Sequence, residues 1–462
     1  MLGFPIPPPL ACAVQPVAEI PHSLVSARAS LVVANLVGLD LLKLATSTEE
    51  YIDKIFQYVL YRFPEVQPPG SDPDAIMDQL FLKAGSIVMF SALKNDQLPW
   101  KNIHGELGKL SDWTLKNEIM VSSLSLVSVF GLVTGNGLPR LLSATASSEE
   151  ADRAWKKPGV LLKRAHCYLE MLQLHQNALM WEVPSSFFEL DFNSVTFLGH
   201  LNNASLQLSV LSKNVWNLEK SIDDSFGDFS VDSLSKSTNF AMYVRIVIQT
   251  YDEINVAQRL LPPRIQVQTY FACLKSFLEC YVCLYLSLDY YKKNQVGLSI
   301  GLVNYALALA QTKDEDRLRN TEEKNSFKDK LNLKNKFNEK KDAKATKKLE
   351  SDNNSSHKLS KRIVHTNIVP NRVLETNLPQ GLFENLRIVL ALLHLLNMKF
   401  NKENNNLSFQ KVVPVTEVSQ NHLFGSSNLP SGVGVPLTSN PWYPRCINSE
   451  TDKDYSLQNA YF

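Results

Sequence analysis

The chain has 462 residues, 44% of them hydrophobic and 20% charged, with a formal net charge of +1. That is enough apolar material for a sizeable core in one large helical domain or two to three smaller ones, and a near-neutral total argues against a nucleic-acid binder. Six cysteines are too sparse for a disulfide scaffold.

The charge is unevenly placed. Residues 312–365 carry 16 Lys and Arg against 10 Asp and Glu, which leaves the remainder mildly acidic at 31 against 36. The opening Met1 to Leu10 has four prolines and no basic residue ahead of an apolar run, unlike a signal peptide. Proline continues to Ile20, which suits an extended segment lying along a larger body. From Ser23 to Lys43 the pattern is helical, with Leu31, Leu36, Leu41 and Leu42 as candidate core. Ser47 precedes Glu50 by three residues, the signature of a capping box at a helix start. The helix that follows, Tyr51 to Phe63, puts Ile52, Ile55, Phe56 and Val59 on one face.

A proline-rich loop separates this from a helical stretch over Ala75 to Leu93. Ile119 to Thr134 is the best membrane-span candidate here, but its length of about 16 residues is short of the 20 or so a span needs. Ser122, Ser123, Ser125 and Ser128 also interrupt it, so it reads as a buried core helix. Gly131, Gly135 and Gly137 lack the Lys-Ser or Lys-Thr of a phosphate loop and read as a helix end and turn. Further helices are predicted from about Ser143, with Leu162, Ala165, Leu169 and Leu172 on one face, then over Phe197 to Leu218 and Asn239 to Leu261.

The clearest stretch is Arg264 to Gln311. Val267, Phe271, Leu274, Leu278, Tyr281, Tyr285 and Leu288 recur at alternating steps of four and three, one continuous stripe on a helix. After a polar break, Gly297 opens a second helix with two apolar faces. One holds Val296, Ile300, Val303, Leu307 and Ala310, and the other Leu298, Leu302, Tyr305 and Leu309. A helix apolar on two sides is sandwiched between neighbours, and long helical hairpins are the unit of a solenoid.

Residues 312–367 are too polar to offset the entropy of ordering and read as a disordered basic insert. Its deletion from Lys313 to Lys361 is therefore expected to leave stability nearly unchanged. Order returns after Pro379 with Leu382, Leu386, Val389, Leu390, Leu393, Leu396 and Met398 on a last apolar helix. Residues 415–462 read as a largely irregular tail. Strand-like alternation is confined to short pieces at the two ends, so the fold class is all-α, a helical solenoid.

No motif carries recognisable chemistry. Cys280-Tyr-Val-Cys283, with Cys273 nearby, lies in an apolar helix without a second ligand pair and reads as core. His166, His175, His200, His365, His394 and His422 show no ligand spacing. There is no serine-nucleophile elbow and no paired-carboxylate signature. The expectation is a protein without catalytic residues, cofactor or metal.

Four places carry a resemblance. They are Phe4-Pro5-Ile6-Pro7; Leu98-Pro99-Trp100 followed by Trp113 and Glu118 to Leu132; Tyr243-Val-Arg-Ile246 through Leu261, then Tyr291 to Ala310 with Gly297, Ile300 and Ala306; and Met398-Lys-Phe400 running into Asn404, Asn405, Phe409, Val413 and Pro414, with Leu429-Pro-Ser-Gly432 behind. Taken together the chain resembles the Bro-type domain family, the boomerang-shaped, TPR-like helical domain of Alix and its fungal relatives. Because the chain stops soon after the domain, the likeness is to the short branch that serves fungal ambient-pH signalling. The resemblance implies one domain over 1–462 and a cytoplasmic scaffold recruited to the endosomal membrane or cell cortex through its partners. It also implies that the domain holds the amphipathic C-terminal helix of the polymerising ESCRT-III subunit on an apolar patch, so that a pH-responsive transcription factor is activated by a separate protease. The corresponding candidates here are Tyr251, Ile254, Val267 and Tyr270. The alternatives are a Bro-type adaptor for endosomal cargo sorting and deubiquitinase recruitment, and a helical-repeat enzyme whose site follows no familiar motif.

Overall fold

The computed structural model describes residues 41–62, 115–143, 148–179, 192–224, 239–261, 268–310, 371–424 and 428–435, with isolated positions at 23–31 and 426. The opening proline segment, the helix expected over Ala75 to Leu93, the basic insert and both ends where strand-like pieces were expected lie outside these residues. What is described is all-α.

The helices in chain order are α1 (Leu41–Arg62), α2 (Leu115–Ser143), α3 (Ser148–Leu179), α4 (Phe192–Asp224), α5 (Phe240–Arg259), α6 (Gln268–Lys292), α7 (Val296–Ala310), α8 (Arg372–Asn377), α9 (Gln380–Glu403) and α10 (Val415–Asn421). A single π turn, Asn404–Ser408, ends α9. From α1 to α7 each helix packs on the next in sequence. α9 then lies against α7 and also against α2, α4 and α6, so it crosses alternate helices of the array. Adjacent packed hairpins in this order are consistent with a solenoid.

The stripe that marked α6 is the centre of the core. Phe271, Leu274, Leu278, Tyr281, Tyr285 and Leu288 are all buried, as are Val296, Ile300, Val303, Leu307 and Ala310 on α7. On the second face of α7 only Leu302 is fully enclosed, while Leu298, Tyr305 and Leu309 are partly buried against the core. The Tyr281 hydroxyl donates to Asn385 on α9, which satisfies a phenol that would otherwise be costly to bury. Asn371 lies against the end of α7, its amide donating to the Ala310 carbonyl at 2.8 Å.

Several local expectations are corrected. Ser47 caps nothing, because α1 begins at Leu41 and runs through it. The neighbouring Thr48 hydroxyl donates to the Leu44 carbonyl one turn back, at 2.7 Å. Gly131, Gly135 and Gly137 do not end α2, which continues to Ser143 with Thr134 Oγ1 bonded to the Gly131 carbonyl. Pro158 sits inside α3. Order returns at α8, before Pro379, and the tail contains α10. Met398 is 52% exposed, on the solvent side of α9, whereas the other six stripe residues of that helix are buried.

By length and composition two described helices could cross a membrane, Gln268–Lys292 and Gln380–Ser408. In the fold, 78% and 56% of their apolar windows are buried against other helices. Ile119 to Thr134, the span candidate by sequence, lies within α2, and its apolar residues Ile119, Leu124, Val127 and Phe130 are core.

Candidate functional site

The face to build is where α5 and α6 meet the C-terminal segment. α5 starts at Asn239, whose side chain accepts from the Met242 amide at 3.3 Å, and buries Val244, Val247, Thr250, Ile254 and Ala257 along one side. Tyr251 stands at the margin of that side, half-buried. Its ring stacks on Phe424 with centroids 3.7 Å apart and planes 6° from parallel, and Lys275 Nζ of α6 lies 5.7 Å from the ring centre. Burial pushes its phenol up, and Glu279 nearby adds to that.

The four candidate residues are placed differently. Ile254 is wholly buried at 0% exposure, so it holds α5 to the core and offers no surface to a partner. This corrects its reading as a contact residue: it lies about 60° round α5 from Tyr251, on the side that holds buried Val247, Thr250 and Ala257. Tyr270, in the first turn of α6, is half-buried with its ring edge-on to Phe271 at 5.6 Å, and its hydroxyl is raised by burial. Val267 lies outside the described residues. Tyr251 and Tyr270 thus sit on neighbouring packed helices, one against Phe424 and the other against Phe271.

The C-terminal segment is tied across this region by backbone contacts. Gly297 N donates to Gln410 Oε1 at 3.0 Å, and its carbonyl accepts from the Val413 amide at 3.2 Å. A Cβ on Gly297 would stand 2.2 Å from the Lys411 carbonyl oxygen, and one on Gly301 would stand 2.5 Å from that of Val413. Only glycine lets the two backbones approach this closely. Asn404 clamps the same segment from α9, donating to the Gln410 carbonyl at 2.9 Å and accepting from its amide at 2.8 Å. Phe400 stacks on Tyr291 at 4.6 Å, and the Tyr291 hydroxyl donates to Glu403. Further on, Arg245 Nε donates to the Ser431 carbonyl at 3.0 Å. Gly432 rides so close to Gln249 that a Cβ would meet its amide at 2.9 Å.

Beneath Gly432 and Gly434 runs a polar seam. Thr250 Oγ1 donates to Gln207 at 2.8 Å, Gln249 donates to Glu253 at 3.2 Å, and His200 Nδ1 lies 2.6 Å from the other oxygen of Glu253. Beside Tyr251, the Glu279 carboxyl is pushed up by burial while accepting from the Tyr305 hydroxyl at 3.0 Å. Lys275 is pushed down by burial and by Arg259. Burial also raises the three buried thiols of α6, with Cys280 reaching about 12, so each is protonated and unreactive at neutral pH. Among the described residues no group of three His, Cys, Asp or Glu side chains could hold a metal ion. A shallow cleft lined by Asn239, Ala241, Met242, Arg245 and Val433 has a volume of about 380 Å³ and opens to solvent.

Gly297, Phe400, Asn404, Val413 and Gly432 were marked by sequence as motif positions, and the structure brings them together as fastenings of the C-terminal segment. Arg245 lies in the Tyr243–Ile246 motif and Gln249 on the helix that continues it, but Gln410 and Phe424 carried no sequence signal. Each is an ordinary polar or aromatic residue whose role exists only once distant segments meet.

No curated protein matches the chain. A model of a family of unknown function matches residues 113–462, which hold every helix from α2 to α10 and all the fastenings just described, and the chain therefore belongs to that family, DUF5355.

Proposed function

We propose that the protein is a non-catalytic scaffold of the PalC type. It binds the C-terminal helix of the polymerising ESCRT-III subunit and is required for alkaline-pH-triggered proteolytic activation of a transcription factor. The observation that carries this reading is the junction of the Gly297–Gly301 face of α7 with residues 404–414. There two of the four places that resemble the Bro-type domain meet in a single contact that tolerates little substitution. Packed helical hairpins supply the kind of surface on which an amphipathic helix docks through a few apolar anchors. Of the candidate residues, Tyr251 and Tyr270 keep exposed surface on the packed pair α5 and α6. The scaffold works in the cytoplasm and reaches the endosomal membrane or cell cortex with its partners, and the proteolytic step belongs to another protein.

The test is titration of the full chain with a fluorescent peptide of the ESCRT-III subunit's C-terminal helix. Saturable binding that weakens about tenfold in Tyr251→Asp/Tyr270→Asp, with circular dichroism unchanged, is expected, since an anchor in an apolar contact carries roughly this much. Absence of saturable binding to the unsubstituted chain would overturn the reading.

A further inference from the structure

The turn that ends α9 holds apolar side chains out in solvent. Leu407 and Phe409 are 76% and 75% exposed, more than any other large hydrophobic among the described residues. Single exposed hydrophobics are ordinary. Two on one turn, one of them on a strained backbone, are not. Phe409 has φ 50°, a left-handed conformation shared among described non-glycine residues only with Asn294, and one that bulky side chains rarely adopt.

The strain is held by specific bonds. Phe409 N donates to the Asn404 carbonyl at 2.8 Å, buried Asn404 clamps Gln410 on both its amide and its carbonyl, and Gln410 Nε2 donates to the Asn294 carbonyl at 2.7 Å. The fold thus keeps an aromatic ring where it cannot contribute to the core.

The charges around this turn have one dominant sign. Lys402 and Lys411 flank it and are exposed. The Gln410–Asn294 bond brings the end of α6 alongside, with Lys292 and Lys293. Asp289 pairs with Lys293 at 2.7 Å, which cancels both charges, and Lys402 and Lys411 on the turn itself outnumber Glu403, which accepts from the Tyr291 hydroxyl.

We propose that the Leu407–Phe409 turn is a membrane-contact tip for an anionic phospholipid surface. Leu407 and Phe409 enter the boundary between headgroups and acyl chains, and Lys402 and Lys411 pair with the lipid phosphates. A protruding apolar pair needs a partner that deforms around it, which a fluid interface does without a preformed pocket. Lysine on a flexible stem suits phosphate as a point charge. The inference does not depend on the ESCRT-III partner proposed above.

Flotation of the full chain with phosphatidylcholine vesicles, with and without phosphatidylserine, tests it. We expect retention on the phosphatidylserine vesicles that declines with added salt. It should fall about tenfold or more in Leu407→Ser/Phe409→Ser, because losing burial of these two side chains is worth at least that factor. Lys402→Glu/Lys411→Glu should weaken it by a similar factor. Phe409→Gly should lose binding while its melting temperature is unchanged or raised, because glycine adopts positive φ freely. Three results would each overturn the proposal: no retention on phosphatidylserine vesicles, equal retention on both vesicle types, or retention that the Leu407/Phe409 double variant leaves intact. The last would assign membrane binding to the lysine-rich stretch 312–367.

Discussion

Gly199 and Gly297 are both helical glycines, and their surroundings give a Cβ opposite consequences. At Gly199 the added carbon would lie 3.6 Å from Gln173 Nε2, an ordinary contact with the end of a flexible side chain. Gly199→Ala should therefore stabilise the protein by about 0.5–1 kcal/mol, the usual gain from removing glycine inside a helix. At Gly297 the same carbon would lie 2.2 Å from the Lys411 carbonyl oxygen and 3.2 Å from Gln410 Cβ. Backbone cannot swing aside as a side-chain tip can, so residues 410–413 must lift from α7 and lose the Gly297–Gln410 and Gly297–Val413 bonds. Gly297→Ala should cost about 2–4 kcal/mol, at the upper end for a single substitution. Urea unfolding of the two variants reads both signs. Equal and small effects would mean that the C-terminal segment is not held against α7.

Between elements, α1 joins the array through buried Leu44, Tyr51, Ile52 and Ile55 and through a charged contact. Glu49 accepts from Arg164 Nη1 of α3 at 2.9 Å, and the two side chains are only 12% and 8% exposed. Removing Glu49 takes this bond from a guanidinium that stays buried, so Glu49→Ala should destabilise by about 1–3 kcal/mol. Replacing both, as Glu49→Leu/Arg164→Met, should recover most of that loss because the burial penalty goes with the charges. Calorimetry of the cycle decides it; a double variant no better than the single one would show that the pair is stabilising in itself. The long periodic helices were legible in the sequence because their apolar steps repeat over many turns, as in α6. Where local punctuation disagreed with packing, packing won. Pro158 removes one hydrogen bond from α3, but Trp155, Leu162 and Ala165 on either side of it are buried. The glycines of α2 lie next to buried Val133 and Thr134. Tyr251 was a candidate through the family resemblance alone, and that Phe424 would lie across it was not legible, since α6 to α10 separate the two rings in sequence.

At the scale of the molecule, α9 decides how the array behaves. An open solenoid couples each repeat only to its neighbours and can fray from an end. Here α9 touches α2, α4 and α6 as well as α7, which joins elements far apart in the row. Leu382, Leu386, Val389, Leu390 and Leu393 on it are at 0% exposure, so these contacts are apolar and closed to water. Loss of α9 would expose the helices it spans at once, which predicts a shared unfolding transition for α2 to α9 in place of stepwise loss from one end. Leu393→Ala should lower stability by about 2–5 kcal/mol as a buried leucine truncation, and it should move the transition without splitting it. Urea unfolding followed by far-ultraviolet circular dichroism and by tyrosine fluorescence should give coincident curves for both proteins. Separated curves, with a leading phase that Leu393→Ala enlarges, would mean that α9 covers only its immediate neighbour α7 and that the rows of helices unfold independently.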